Sequence, residues 1–231
     1  MTSCRIEKLG DDVVNAIVNI LPLALGVAIS PIPIIAVILM LLSPKARING
    51  LAFLLGWVVG LAVVGIVVTV VSGNAGLDSG GGGSLKKIAI GLLLISLGVR
   101  DFRKRPRSGE EPSLPGWMRT IDTFTPLKAL GIAVLLSGIN PKNLSLTVAA
   151  AVTIAQVGLA RAGTAIVLVI IVLLGSLSIA VPVALYFLGG ASASRALDSL
   201  RTWLNANNAT VMAVLLVVIG VVLFGKGLGG F

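Results

Sequence analysis

Ser30-Pro31-Ile32-Pro33 and Asn140-Pro141-Lys142 are the two stretches whose reading decides the fold. Each joins a favoured helix N-cap, Ser or Asn, to a proline at the first helical position, where a missing N–H costs nothing. Each also lies where a helix ought to be continuing. Inside a helix a proline removes a backbone hydrogen bond and clashes with the preceding turn, and Pro31 is followed by Pro33. The apolar runs around these stretches, residues 13–42 and 126–157, hold 30 and 32 residues. As single helices they would reach about 45 Å or more, against a hydrocarbon core of about 30 Å. Both are therefore predicted to be helices broken at these points. The plainer alternative is a proline kink, which membrane helices tolerate.

The approaches to the breaks also resemble each other. Pro22-Leu23-Ala24-Leu25-Gly26 precedes the first, and Pro126-Leu127-Lys128-Ala129-Leu130-Gly131, one residue longer, precedes the second. Further apolar segments cover about 49–72, 85–99, 162–189 and 209–225, so the chain is predicted to form six transmembrane helices in a single integral membrane domain, 1–231. Residues 13–100 form one three-helix repeat and 126–225 another, separated by a basic linker at 101–125. A repeat of odd helix number must sit inverted relative to its partner, and inverted repeats with paired interrupted helices are a secondary-transporter arrangement. The expected fold is thus an all-α membrane protein with two inverted repeats, broken in helices 1 and 4.

Composition agrees. Of 231 residues, 56% are hydrophobic and 12% charged, half the usual charged fraction of about 25% in a soluble domain. There is no His and one Cys, Cys4. That excludes histidine metal centres, Ser-His-Asp hydrolysis and disulfide frameworks. No cofactor is called for, and an enzyme is the least favoured class. The net charge of +9 reads as topology rather than nucleic-acid binding. Lys45, Arg47, seven basic residues across 100–128, Arg195 and Arg201 outnumber the six on the other side, Lys142 left aside. This places the linker in the cytoplasm and both termini outside the cell membrane. The polar first twelve residues do not read as a cleaved signal peptide. Two cytoplasmic segments carry amphipathic patterns, 115–124 (Trp117, Ile121, Phe124) and 194–204 (Leu197, Leu200, Leu204). They fit either the headgroup layer or the bundle ends. Gly56-Trp57-Val58-Val59-Gly60 is a small-xxx-small motif, read as close packing within the bundle, although a homo-oligomer stays open.

Lys142 is the one ionisable residue deep within a predicted span. Such a residue costs a few kcal/mol or more in a membrane and marks a functional site by default, with snorkelling to an interface as the competing reading. No Asp or Glu lies inside the spans. An anionic or amphipathic substrate would supply the missing partner, aided by the positive ends of the half-helices starting at Pro31 and Pro141. The candidate substrate-binding residues are Ser30, Pro31, Pro33, Asn140, Pro141, Lys142 and Asn143, with Ser137 and Ser145 as further donors. Asp122 and Lys142 are the candidates for coupling to a proton.

The Pro-x-Pro of the first helix, the Asn-Pro-Lys of the fourth and the three-plus-three layout resemble the lysine-exporter superfamily. Several stretches are similar, more specifically, to its actinobacterial GAP family of glycolipid- and sulfolipid-addressing proteins. These are Ser30 to Pro33, Ser43 to Gly50, Phe53 to Gly60, Asp122 to Gly131 and Ser137 to Leu144. The resemblance implies movement of envelope lipids toward the outer layers of the cell, beside membrane lipids and a large lipid exporter as partners. It leaves three readings: an exporter or flippase-like carrier, a non-transporting accessory of a large lipid exporter, and an exporter of a small metabolite such as an amino acid. A deep Lys without a deep acid disfavours a cationic substrate. The superfamily's thiol-electron carriers need two membrane cysteines, which this chain lacks.

Overall fold

The computed structural model describes residues 2–74, 82–103, 116–157 and 159–229. Among them every regular element is helical. α1 (Thr2–Ala28), α2 (Pro31–Leu41), α3 (Ala46–Asn74) and α4 (Gly82–Arg103) are followed by a 3₁₀ helix, Gly116–Thr123. Then come α5 (Pro126–Gly138), α6 (Pro141–Val157), α7 (Arg161–Leu188) and α8 (Gly190–Leu228). Three helices are long and apolar enough to cross a membrane, within Ala46–Val71, Arg161–Leu188 and Ser192–Leu228. The pair Asp12–Ala28 and Pro31–Leu41, bent by 50°, meets the same length and composition only when its two helices are taken together. The chain is an all-helical membrane protein. Residues 104–115 of the 101–125 linker and part of the Gly80–Gly83 run lie outside the described residues.

Local sequence explains where the helices stop and start. Thr125 caps α5, its hydroxyl accepting from Lys128 N at 3.4 Å, and Pro126 occupies the first helical position. The two amphipathic segments differ from a headgroup-layer placement. Residues 116–123 wind at three residues per turn, so Met118 and Ile121, with Phe124 just beyond, align on one buried face packed against α2. Residues 194–204 are the opening turns of the 39-residue α8, with Leu197 and Leu204 buried and Leu200 exposed. No proline separates them from the apolar stretch that follows, and Asn205, Asn207 and Asn208 stay within the helix.

Small residues set how closely the helices approach, since apolar side chains gain little by leaving lipid for one another. Gly56 and Gly60 of α3 lie against α5. A methyl group at Gly60 would overlap Ser137 Oγ and stand 3.1 Å from Val134 Cα. The small-xxx-small motif therefore packs within the bundle. A second seam, between antiparallel α4 and α8, escaped the sequence reading. Ser84, Gly91 and Gly98 recur every seven residues on α4, as do Ala213, Gly220 and Gly227 on α8. A methyl group at Gly220 would lie 2.8 Å from Gly91 O, and one at Gly98 would lie 2.9 Å from Ala213 O. A seven-residue recurrence keeps one stripe facing its partner along a left-handed crossing. Elsewhere α1 packs on α7 and α6, α3 on α7 and α6, α2 on α8 and α7, and α4 on α6.

Trp57, fully buried, joins two of these helices by donating Nε1–H to Gly175 O of α7 at 3.1 Å, and it stacks on Phe53. The α4–α8 seam yields a paired prediction. Gly220→Ala should lower the melting temperature in detergent by several degrees, because backbone atoms Gly91 O and Ile95 N, as well as the Ile95 side chain, block the new methyl; overpacking of this kind costs about 1–3 kcal/mol. Gly225→Ala, whose methyl meets nothing within 4 Å, should leave it unchanged or raise it.

Candidate functional site

The first break occupies Ile29 and Ser30. Ile29 N still bonds Leu25 O at 2.9 Å, closing α1, while Ser30 N bonds Ala28 O at 2.9 Å. Ser30 is extended (φ −120°, ψ 96°) and its carbonyl accepts from Ile34 N at 3.3 Å, but its hydroxyl does not cap α2. Ser30, Pro31 and Pro33 are all buried. Prolines carry no N–H, so Ile32 is the only residue among the first three of α2 that retains an amide proton. The terminus keeps its dipole and offers one donor rather than three.

The second break occupies Ile139 and Asn140. Ile139 N bonds Leu135 O at 2.8 Å, and Asn140 O accepts the first backbone bond of α6 from Leu144 N at 2.9 Å. The side chains of Pro141 and Lys142 lie outside the described residues. Asn143, fully buried, donates Nδ2–H to Leu136 O at 3.1 Å, reaching back across the gap to a last-turn carbonyl of α5. Its Oδ1 is buried without a partner among the described residues. The sequence reading offered Asn143 as a hydrogen-bond donor to a ligand. Here the donor holds the break together, and the unengaged atom is an acceptor.

The other candidates scatter. Ser137 is buried and donates to Val134 O at 3.0 Å, against Gly60. Asn140 and Ser145 are half-buried. Asp122 is exposed on the 3₁₀ helix, close to Phe124, whose carbonyl accepts from buried Asn49 Nδ2 at 3.0 Å. Asn49 opens α3, so Asp122 sits by the α2–α3 turn, at the far end of α2 from Ser30.

Helices α1, α3, α6 and α7 wall a cavity of about 20 Å³, room for one water. Its walls include Val27 of α1, Gly65 and Thr69 of α3, Thr147 and Ala150 of α6, and Leu168 of α7. Val27 lies three residues before Ser30 and Thr147 six after Pro141. The end of α1 thus meets the start of α6, and a methyl at Gly26 would stand 3.0 Å from Leu146 Cδ1. Both threonine hydroxyls donate to their own helices, Thr147 to Asn143 O at 2.8 Å and Thr69 to Gly65 O at 2.7 Å. Leu168 and Val172 also wall a groove of about 280 Å³ between α3 and α7, lined by Ala62, Ile66, Val169 and Leu173. Two side chains therefore separate the inner cavity from the outer apolar groove. The sequence reading missed these wall residues, since Val, Ala, Leu and Thr carry no chemical signature. Among the described residues no cluster of His, Cys, Asp or Glu forms a metal centre.

Asn143→Leu should remove the side-chain donor bonded to Leu136 O across the break and destabilise the protein by about 1–3 kcal/mol, the usual cost of losing a buried hydrogen-bond partner. Thermal unfolding in detergent measures this. Asn143→Gln, with the same amide on a longer stem, should recover part of the loss.

A family model described as Sap, sulfolipid-1-addressing protein, matches residues 20–229 of the chain. No curated protein and no solved structure matches it.

Proposed function

The chain belongs to the sulfolipid-1-addressing protein family, and from that premise we propose that it is a carrier moving an anionic, amphipathic envelope lipid across the cell membrane. The observation that carries this reading is the cavity walled by α1, α3, α6 and α7, of which α1 and α6 each run from a helix break. In the proposed mechanism, alternating access opens this closed form. The headgroup enters among the helices near Ser30, Asn140 and Lys142, and its chain lies in the α3–α7 groove beyond Leu168 and Val172. Lys142 supplies the charge that an anionic headgroup needs, with Ile32 N–H as a donor at the other break.

The carrier reading goes with six spans in two inverted halves, α1 to α4 and α5 to α8. Helix pairing supports this. Exchanging the halves maps α3 on α5 onto α7 on α1, α2 on α7 onto α6 on α3, and α2 on α8 onto α6 on α4, and each of these pairs packs. The α3–α7 and α4–α8 pairs map onto themselves. The mapping is incomplete, since α1 on α6, α2 on α3, α7 on α8, α1 on α8 and α5 on α6 have no comparable counterpart among the described residues. With Lys/Arg bias as the guide, the linker is cytoplasmic and both termini are external. Asp122 or Lys142 carries any coupled proton.

A second reading, an accessory of a large lipid exporter docking through the basic linker, draws on the cavity's size. About 20 Å³ admits no headgroup without helix movement.

Reconstituted vesicles carrying a fluorescent sulfated glycolipid separate the two. A carrier should flip the lipid, and Lys142→Ala should slow this more than tenfold. Gly65→Ala should fold normally, since its methyl would stand 3.4 Å from Leu168 Cδ2, an ordinary contact, and alanine favours a helix by about 1 kcal/mol over glycine. Placed in the cavity wall, it should nonetheless slow flipping. Absence of flipping, together with loss of cellular function on replacing residues 104–115, would establish the accessory role instead.

A further inference from the structure

Arg100 and Arg103 lie in the last turn of α4, both exposed. Neither pairs with a carboxylate among the described residues, where the ion pair is Arg201–Asp198 at 2.8 Å. With Ser96 and Val99 they occupy positions i, i+3, i+4 and i+7, one helix face, around a hollow of about 340 Å³. Val99 and Arg103 are shared with a second hollow, about 350 Å³, running between α4 and α8 along Phe102, Val214, Val217 and Val218. Its floor is the small-residue seam, where Gly98 lets Ala213 O and the side chain of Val217 approach the α4 backbone closely. The stripe continues through Val221, and Val214, Val218 and Val221 are each more than half exposed.

The combined shape is an apolar trough with two guanidinium groups at one end. Guanidinium donors match phosphate oxygens in a planar, two-pronged geometry, and basic hollows between membrane helices suit acidic headgroups. An exposed trough of valines in a membrane protein is covered by acyl chain. The site shares no residue with the cavity or the α3–α7 groove, so its occupant is not cargo in transit. We propose that this α4–α8 hollow binds one anionic phospholipid of the bilayer. Its phosphate sits between Arg100 and Arg103, and one acyl chain runs along Val99, Phe102, Val214 and Val218. The lipid covers the outer side of this helix seam.

The test is native mass spectrometry of the full chain released from micelles containing phosphatidylglycerol, with phosphatidylcholine as the uncharged comparison. Wild type should retain one phosphatidylglycerol preferentially. Arg100→Gln with Arg103→Gln should reduce that retention at least tenfold, with helical circular dichroism unchanged. Arg47→Gln, which removes an exposed charge at the start of α3, should leave it as in wild type. Wild-type retention in the double variant would overturn the site, and so would an equal loss in Arg47→Gln, which would mean attraction to net charge. A dimer that Val214→Trp converts to monomer would put a second copy of the chain in the trough, also overturning the lipid assignment. Because flipping is not the readout, the result stands apart from the carrier reading.

Discussion

A helix can break inside a bilayer only if the backbone groups it releases find partners within the protein, because hydrocarbon offers none. The two breaks meet this constraint in different ways. At residues 29–30 the chemistry is subtractive: Pro31 and Pro33 delete donors that would otherwise be stranded, and the remaining turn bonds use Leu25 and Ala28 carbonyls. At residues 139–140 it is additive, with Asn143 lending a side-chain amide to the Leu136 carbonyl. Each leaves two helices end to end, and α1 and α6, one from each break, share a cavity wall. Everything proposed for function depends on breaks that are stable in apolar surroundings.

The packing around them relies on backbone proximity. α3 approaches α5 through Gly56 and Gly60, and α4 approaches α8 through glycines seven residues apart. Close approach gains dispersion contacts and brings Cα–H groups near carbonyl oxygens, a weak attraction that adds up along a seam. Polar side chains act at single crossings instead. Asn49 ties α3 to the Phe124 carbonyl, and Trp57 ties α3 to α7.

The breaks were legible in the sequence because proline is local chemistry: its ring acts on its own turn, whatever surrounds it. Excess length was legible for the same reason, as a comparison of residue count with bilayer thickness. Less local features were not. The 3₁₀ winding of 116–123 follows from docking on α2, and an i, i+4, i+7 pattern could not distinguish it from an α-helix. The continuity of α8 depends on nothing interrupting it, which a search for separate amphipathic segments overlooks. The role of Asn143 needed the distance to Leu136, since an asparagine beside a break reads equally as a ligand donor or a backbone clip. The glycine seam was present as a seven-residue recurrence on two segments more than a hundred residues apart. Only their juxtaposition gives it meaning.

Trp57 has a consequence of another kind. The chain has three tryptophans. Trp203 is exposed and Trp117 half-buried, while Trp57 is sealed from solvent with its indole N–H bonded to Gly175 O. Emission from an indole shifts with the polarity around it and with the fate of that N–H. The crossing of α3 and α7 therefore carries an intrinsic optical reporter, stacked on Phe53 and anchored to the helix opposite, so that parting these two helices would change its colour without any added label.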